Sequence, residues 1–553
     1  MARVTSSTGP APPAWLRSRR SPWPASSAVT DRLALTPVVR PYTGRDAATA
    51  RITSLARRAR SRSSGCTATA APSPGPSQHL RTGHRVPSII SGSADTGGSL
   101  ALLPLQAQAS FRSMTVVING RDDFTLENYR RVSEGGEPVA IGPRAREAMA
   151  AARADFIRLL ESDRTQFIYG VTSSFGPRAK VTIPPEQQRA HARGFEFRGN
   201  WARGFGGGYL DERVVRGIIF ARLANFVAGN SKARPVIAER LAALLDDPLP
   251  PVPLDGEVGA GEGLPLAHVL RGFRLDDIEE GEANPVTNGS PVSAALAADA
   301  ALRAAPRLGR AERALALSAA AFGVPADAYA EELGELWGDA DEAAALAALR
   351  RHLSGASPSR RQAGEVPASY LILGRVLGQA HRAVAALTEA ARVSLRSVTD
   401  NPVYLPPDAA HPLGQALSTG GFHNAMAYPA LNTLAAAWAD LTLLAGRHVT
   451  ALRAADPAAG PGPELSALAE EARAAAMPTL LPAAVNDPQD DVSSPTFGAY
   501  RREATAAQCL DRAIALLAEE AGPALDAAGR QPAPPVRDPL QRVRAAREGP
   551  DPA

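Results

Sequence analysis

Gly256-Glu-Val-Gly-Ala-Gly261-Glu-Gly-Leu-Pro-Leu-Ala-His268 is the stretch of this 553-residue chain that says most about its fold. Four of its thirteen residues are glycine, and it ends in a short apolar run that closes on a histidine. No serine, threonine or cysteine lies between Pro250 and Asn284. The stretch therefore offers no hydroxyl or thiol from which a reactive group could be built.

Five further landmarks flank this stretch. Tyr169-Gly-Val-Thr-Ser-Ser-Phe-Gly176 precedes it, between two regions of helical pattern. The landmarks that follow it are Asn288-Gly-Ser290, Ser397-Val-Thr-Asp-Asn-Pro402, Gly420-Gly-Phe-His423 and Asn486-Asp-Pro-Gln-Asp-Asp-Val-Ser493. Each motif is weak alone, but their order along one chain makes the set specific.

In this order the landmarks resemble those of the aromatic amino acid ammonia-lyases, from Met114 to Glu520. The resemblance implies an all-α fold of the fumarase/aspartase-like type, with a long-helix bundle and a small N-terminal region that carries the active-site loops. It also implies a homotetramer in which more than one subunit builds each site. We expect a carbon–nitrogen lyase that takes a small amino-acid-like substrate.

The family's central loop reads Gly-Ser-Val-Gly-Ala-Ser-Gly-Asp-Leu-Ala-Pro-Leu-Ala-His, and its Ala-Ser-Gly cyclises into the electrophile methylidene-imidazolone (MIO). In this chain Gly261 follows Ala260 where the serine is expected; with a gap in the alignment, the serine is deleted. The reactive methylene of MIO is the serine Cβ, which glycine lacks. We therefore predict that Ala260-Gly261-Glu262 forms no MIO and that the protein uses no other cofactor.

The resemblance assigns site roles to seven residues. Tyr169 matches the proposed general base, and the substrate-binding candidates are His268, Asn288, Phe422, His423, Gln489 and Asp490. Most of them have a simpler structural alternative. These alternatives are an anchoring hydroxyl for Tyr169, a core position for His268, a helix cap at Asn288 or Ser290, a cap contact for His423 and a solvated acidic loop for Gln489 and Asp490.

One family landmark is altered. The lyases carry Gln-Asp-x-Tyr-Ser-x-Arg, whereas this chain has Glu365-Val-Pro-Ala368-Ser-Tyr-Leu371, so the tyrosine becomes Ala368 and the arginine becomes Leu371. In the family that arginine holds the substrate carboxylate through a bidentate pair, which leucine cannot form. Either a nearby arginine (Arg360, Arg361 or Arg375) has taken the role, or the ligand is not a simple α-amino acid.

Two functions remain open at this point. One is a carbon–nitrogen lyase that works by an MIO-independent route on an amino-acid-derived substrate. The other is a catalytically silent homologue that acts as a binding or scaffold subunit. Loss of the serine and of the arginine favours the second. Retention of polar pocket residues such as Tyr169 and Asn288 favours the first. A homologue that has lost its activity should keep the residues that pack its core better than the polar residues of its pocket.

Charge and cysteine content exclude several classes of function. Residues 1–113 hold 15 Arg and Lys against three Asp and Glu, whereas the rest of the chain holds 45 basic and 53 acidic residues. The net charge of +4 therefore gives no argument for nucleic-acid binding. No apolar run is long enough to span a bilayer, and no metal-ligand spacing appears. Cys66 and Cys509 alone cannot form a disulfide framework, and they fit a reducing cytoplasm.

The pattern along the chain predicts four regions. Residues 1–113 are a disordered or mis-annotated extension before a start at Met114, 114–290 are the N-terminal lyase region, 291–523 are the central helical bundle, and 524–553 are a flexible C-terminal tail. Alanine-rich helical patterns favour close helix packing in a bundle, because small side chains let neighbouring helices approach one another. Such patterns cover residues 143–161, 211–228, 292–304, 311–321, 341–352, 378–397, 425–452, 463–476 and 498–520.

Overall fold

The computed structural model describes residues 114–193, 208–254, 261–271, 273, 277–357, 359, 363–454, 462–482, 491–532 and 534. The predicted extension 1–113 and the predicted site residues Ala260, Gln489 and Asp490 lie outside these residues. Within the described ranges, no helix combines the length and apolar character needed to cross a membrane.

The described N-terminal part begins with two short strands. Strand β1 (Val116–Ile118) pairs in parallel with β2 (Val139–Ile141), with Val117 opposite Ala140. Helix α1 (Leu126–Ser133) connects them, and the Thr125 hydroxyl caps it by accepting a hydrogen bond from the Asn128 amide at 3.1 Å. The helices that follow are α2 (Pro143–Ser162), α3 (Pro185–Arg193), α4 (Glu212–Leu223), α5 (Pro235–Ala243), α6 (Gly263–Val269) and α7 (Ala283–Thr287).

Four long helices form the bundle: α8 (Pro291–Phe322), α12 (Leu373–Arg396), α13 (Ala427–Leu452) and α15 (Thr496–Ala527). They pack against one another through buried alanines and leucines, and the small alanine side chains let the helix axes approach closely. The shorter elements are α9 (Glu332–Trp337), α10 (Ala340–Leu353), α11 (Ala368–Leu371), β3 (Val403–Leu405), β4 (Gln415–Leu417) and α14 (Pro463–Ala475). Strands β3 and β4 pair antiparallel.

The predicted all-α bundle is confirmed, with two differences in its long helices. The patterns at 292–304 and 311–321 belong to one helix, α8, because the buried residues on either side of Pro306 keep it packed although proline removes one backbone hydrogen bond. Helix α15 continues to Ala527, and Arg530 donates to the Ala320 carbonyl at 3.2 Å. The bundle therefore ends later than the boundary predicted at residue 523.

Several of the sequence landmarks lie close together at one end of the bundle. Helices α8, α13 and α15 begin there, whereas α12 ends there, so the segments just outside these four helix ends meet. The Ser290 amide donates to the Thr399 hydroxyl at 3.0 Å, and the Ser293 hydroxyl lies 2.9 Å from that of Thr496. Residues far apart in sequence thus become neighbours at this end.

Candidate active site

Gly261 lies beside two other predicted site residues. A carbon at its Cβ position would be 3.8 Å from Asn288 Nδ2 and 3.8 Å from Phe422 Cβ. Both separations are ordinary van der Waals distances, so a side chain at this position would meet no clash. The structure therefore brings Gly261, Asn288 and Phe422 together at the end of the bundle.

Glu262 fixes this part of the loop to the bundle. Its side chain is buried, and its backbone adopts the left-handed conformation with φ of 53°. The carboxylate accepts hydrogen bonds from the Val292 amide at 2.8 Å, the Ser293 amide at 2.9 Å and the Ser293 hydroxyl. Glu262 thus satisfies the free amides at the start of α8, where the helix dipole also favours a negative charge.

Burial opposes that charge. It raises the pKa of Glu262 to about 7, although the hydrogen bonds from Ser293 and Val292 and the nearby Arg222 lower it. Because the pKa in the folded protein exceeds that of an ordinary glutamate, this carboxyl group stabilises the fold most below about pH 4.5. That contribution is lost as the pH rises through about 7.

We expect Glu262→Gln to flatten the dependence of stability on pH. Between pH 5 and 8 the free energy of unfolding should fall by up to about 3 kcal/mol more in the wild type than in the variant. Urea unfolding at four pH values across this range measures the difference. Glu161→Gln removes the same charge from an exposed position and serves as the control. Parallel wild-type and Glu262→Gln profiles would contradict the expectation.

Asn288 immediately precedes α8 without capping it. Its Oδ1 atom is buried and has no hydrogen-bond partner among the described residues. Ser290 occupies the N-cap position but makes no side-chain cap hydrogen bond, since Glu262 bonds the first amides instead. The helix-cap alternative for Asn288 and Ser290 is therefore wrong, and the Asn288 amide group remains beside Gly261 for another partner.

A buried guanidinium holds the Asn288 backbone in place. Arg222, on α4, donates to the carbonyls of Asn288 and Pro285. Burial lowers its pKa to about 10, while Asp400 and Glu262 act in the opposite direction. Arg222 thus orients the segment that carries Asn288.

A second buried charge supports the segment after α12. Lys232 Nζ lies 3.5 Å from Asp400 Oδ2 and donates to the Pro402 carbonyl at 2.8 Å, and both charged side chains are fully buried. Burial lowers the pKa of Lys232 and raises that of Asp400, whereas the attraction between the two opposes both shifts. The structure thus places a buried ion pair within the landmark that runs from Ser397 to Pro402.

Tyr169 lies in a loop that is tied to this same segment. Asn284 Nδ2 donates to the Tyr169 carbonyl at 3.0 Å and to the Asn401 carbonyl at 3.1 Å. The Tyr169 hydroxyl oxygen accepts a hydrogen bond from the Gly176 amide at 3.1 Å, and its ring stands edge-on to Phe175. The hydroxyl thus takes part in an anchoring contact, and the same amide donor would stabilise negative charge on the phenolic oxygen.

The two predicted site histidines are half-buried. His268 lies in α6, one turn beyond the loop that carries Gly261 and Glu262. His423 adjoins Phe422, and its ring faces Tyr428 edge-on at a centroid distance of 6.5 Å. Burial lowers the pKa of His423, so its imidazole is neutral at neutral pH. A neutral imidazole can both donate and accept hydrogen bonds.

The altered landmark lies around α11. Ala368 and Leu371 are the first and last residues of this helix, and Leu371 is exposed. Arg375 pairs with Glu342 at 2.9 Å and stacks over the Trp337 ring at 4.2 Å from its centroid. These contacts hold Arg375 against α9 and α10. A role for Arg375 in place of the family arginine stays a prediction. Arg360 and Arg361 lie outside the described residues.

Comparisons with known proteins identify the family and the fold of the chain. The family described as aromatic amino acid lyase matches residues 124–275 and 271–545. Histidine ammonia-lyase of Deinococcus radiodurans is 31% identical over 371 residues, which are 60% of this chain and 67% of that protein. Histidine ammonia-lyase of Geobacillus thermodenitrificans is 29% identical over 375 residues, 61% of this chain and 70% of that protein. The solved histidine ammonia-lyase of Trypanosoma cruzi shares the fold, with a TM-score of 0.64, 21% identity, and coverage of 78% of this chain and 88% of that one.

Proposed function

Because the chain belongs to the aromatic amino acid lyase family, we propose that it is a carbon–nitrogen lyase that acts on an amino-acid-derived substrate without MIO. One observation carries the proposal. Gly261 lies beside Asn288 and Phe422, with room at its Cβ position but no carbon there. The polar side chain of Asn288 thus lies beside a loop residue that lacks a Cβ atom. The methylene of MIO is a Cβ atom, so this loop does not fit the family's electrophile.

The proposed chemistry is a base-assisted elimination. Tyr169 removes a proton from the carbon next to the one that bears nitrogen, and that electron pair becomes the carbon–carbon double bond. The carbon–nitrogen bond breaks, and the amine leaves with its bonding electrons. Asn288, His268, Phe422 and His423 orient the substrate, and Gln489 and Asp490 hold its cationic group.

The leaving group decides which substrates can react. A primary ammonium group can lose a proton to a base, and the neutral amine so formed is a poor leaving group that no electrophile activates in this proposal. A quaternary nitrogen has no N–H proton to lose, so it keeps its positive charge and leaves as a neutral amine. We therefore expect substrates with a quaternary ammonium group to react faster than the corresponding primary amino acids.

A substrate panel tests the proposed function. Histidine, phenylalanine, tyrosine and their N,N,N-trimethyl derivatives would be incubated with the full chain, and the unsaturated acids would be followed by absorbance. Turnover of trimethylated compounds alone supports the proposal, whereas robust turnover of the primary amino acids contradicts it. Inactivity towards the whole panel favours the second function below.

The intact chain is expected to have the mass calculated from its sequence. Formation of MIO would remove water from the loop, so mass spectrometry of the whole protein and of the peptide around Ala260 measures its absence directly. Borohydride, which reduces the electrophile, should leave any activity unchanged. A loss of water localised to that peptide would overturn the proposal.

A second candidate function is that of a catalytically silent homologue that binds or scaffolds another subunit. Leu371, in place of the family's carboxylate-binding arginine, favours it. For either function we propose a homotetramer in the cytoplasm, on the resemblance to the family. Light scattering on the full chain alone tests for the homotetramer, and formation of a mixed assembly when an active lyase of the family is added supports the second function.

A further inference from the structure

A cavity apart from the candidate active site lies along the bundle, between α4, α8 and α15. Its volume is about 490 Å³, within the range of small-molecule sites. Arg213 of α4, Arg303 and Arg307 of α8, and Arg501 of α15 line it, together with Tyr500 and Glu503. None of these residues belongs to the candidate active site.

Three of these arginines are held in place by carboxylates. Buried Asp299 accepts from Arg213 Nε at 2.9 Å and from the Tyr500 hydroxyl at 2.6 Å, and it pairs with Arg303. Arg307 donates to Asp511 Oδ2 through Nε at 3.0 Å and Nη2 at 2.9 Å. A guanidinium has five N–H donors, so these contacts fix the arginines without using all their donors.

The guanidinium donors at the cavity wall favour an anion. Four arginines line it together with two acids, Glu503 and Asp211, and Asp211 pairs with Arg213. Glu503 accepts a hydrogen bond from Trp438 Nε1 at 2.9 Å, and burial raises its pKa. Asp299 and Asp511 offset part of the positive charge from behind the arginines. Fixed guanidiniums of this kind bind carboxylate and phosphate groups through charge-assisted hydrogen bonds.

We propose that this cavity binds a small molecule bearing a carboxylate or phosphate group, at a site separate from that of Gly261. The distance between the two sites can be measured along α8, which contributes residues to both. Ser293, which Glu262 contacts, and Asp299, behind the cavity, are six residues apart, which corresponds to about 9 Å along the helix axis. The two sites are also connected, because α8 and α15 are bonded at both levels, by Ser293 to Thr496 and by Asp299 to Tyr500.

Two charge reversals on neighbouring residues test the proposal. Arg501 lines the cavity and is exposed, so Arg501→Glu should leave the fold intact. Arg502 is also exposed but donates to the Ala474 carbonyl at 3.1 Å outside the cavity lining. Arg502→Glu therefore changes the net charge equally without altering the cavity. Titration calorimetry on the full chain at low salt, with inorganic phosphate and with succinate, measures binding.

We expect at least one probe to bind the wild type saturably. Arg501→Glu should weaken that binding about tenfold relative to Arg502→Glu, since it replaces a charge-assisted contact by a repulsion. Binding of phosphate alone, succinate alone or both identifies the preferred anion, and each supports the proposal. Absence of saturable binding to the wild type, or a difference between the variants below about threefold, overturns it. The result does not depend on whether the chain is an active lyase.

Discussion

Replacing Asp400 by asparagine is expected to lower the free energy of unfolding by about 3–5 kcal/mol. The substitution leaves Lys232 fully buried without its counter-charge, and among the described residues the Pro402 carbonyl is the remaining hydrogen-bond partner of its Nζ. Taking a charge out of water is costly unless it is paired, so removing one partner costs much more than the pair itself contributes. Urea unfolding at pH 7 measures the loss.

Two controls separate this effect from a general loss of charge. Glu470→Gln breaks a pair with Arg473 in which both side chains are 70% exposed, and it should change stability by less than about 1 kcal/mol. The double variant Lys232→Met/Asp400→Leu removes both buried charges and should recover much of the loss. A loss below about 1 kcal/mol for Asp400→Asn, or a double variant no more stable than the single one, would contradict the expectation.

The Asp400 variant should also disturb the candidate active site. Asn401, the next residue, accepts the Thr419 amide on its side chain at 2.9 Å and the Asn284 side chain on its carbonyl. Asn284 in turn holds the Tyr169 carbonyl. A shift of the Asp400 segment would therefore move the Tyr169 loop, which links the stability of the core to the geometry of the proposed base.

The helical architecture was predictable because it depends on local patterns. Long alanine- and leucine-rich runs favour helices, and the landmarks at the ends of these runs predict the positions of the site loops. The two patterns predicted within α8 lie on either side of Pro306, and a sequence pattern does not show whether tertiary packing compensates for one missing backbone hydrogen bond. The neighbourhood of Gly261, Asn288 and Phe422 agrees with the roles implied by resemblance, although the roles themselves stay predictions.

The supporting residues could not be predicted, because their partners are distant in sequence. Glu262 was interpreted only as part of a degenerate cofactor loop, whereas its partners are Val292 and Ser293 at the start of α8. Lys232 and Asp400 are 168 positions apart. The chain has only two lysines among 60 basic residues; Lys180 is exposed, whereas Lys232 is the buried partner of Asp400.

Tyr169→Phe is expected to lower the rate of the proposed elimination by about 100-fold or more, the usual contribution of a positioned acid–base group. The fold should be retained, because phenylalanine preserves the edge-on ring contact with Phe175 while it loses the hydrogen bond from Gly176. That bond contributes about 1 kcal/mol to stability. The measurement is steady-state kinetics on the substrate identified by the panel, with unfolding curves for the same preparations.

The pattern of kinetic changes distinguishes a base from an anchor. A base acts in the transition state, so its loss lowers kcat with little change in KM, whereas a displaced loop would weaken substrate binding as well. Tyr209→Phe removes a hydroxyl from a tyrosine that is 63% exposed and should leave kcat within about twofold. If Tyr169→Phe retained wild-type kcat, the base would lie elsewhere. If it changed KM and stability instead of kcat, the hydroxyl would serve only as the loop anchor that its bond to Gly176 already provides.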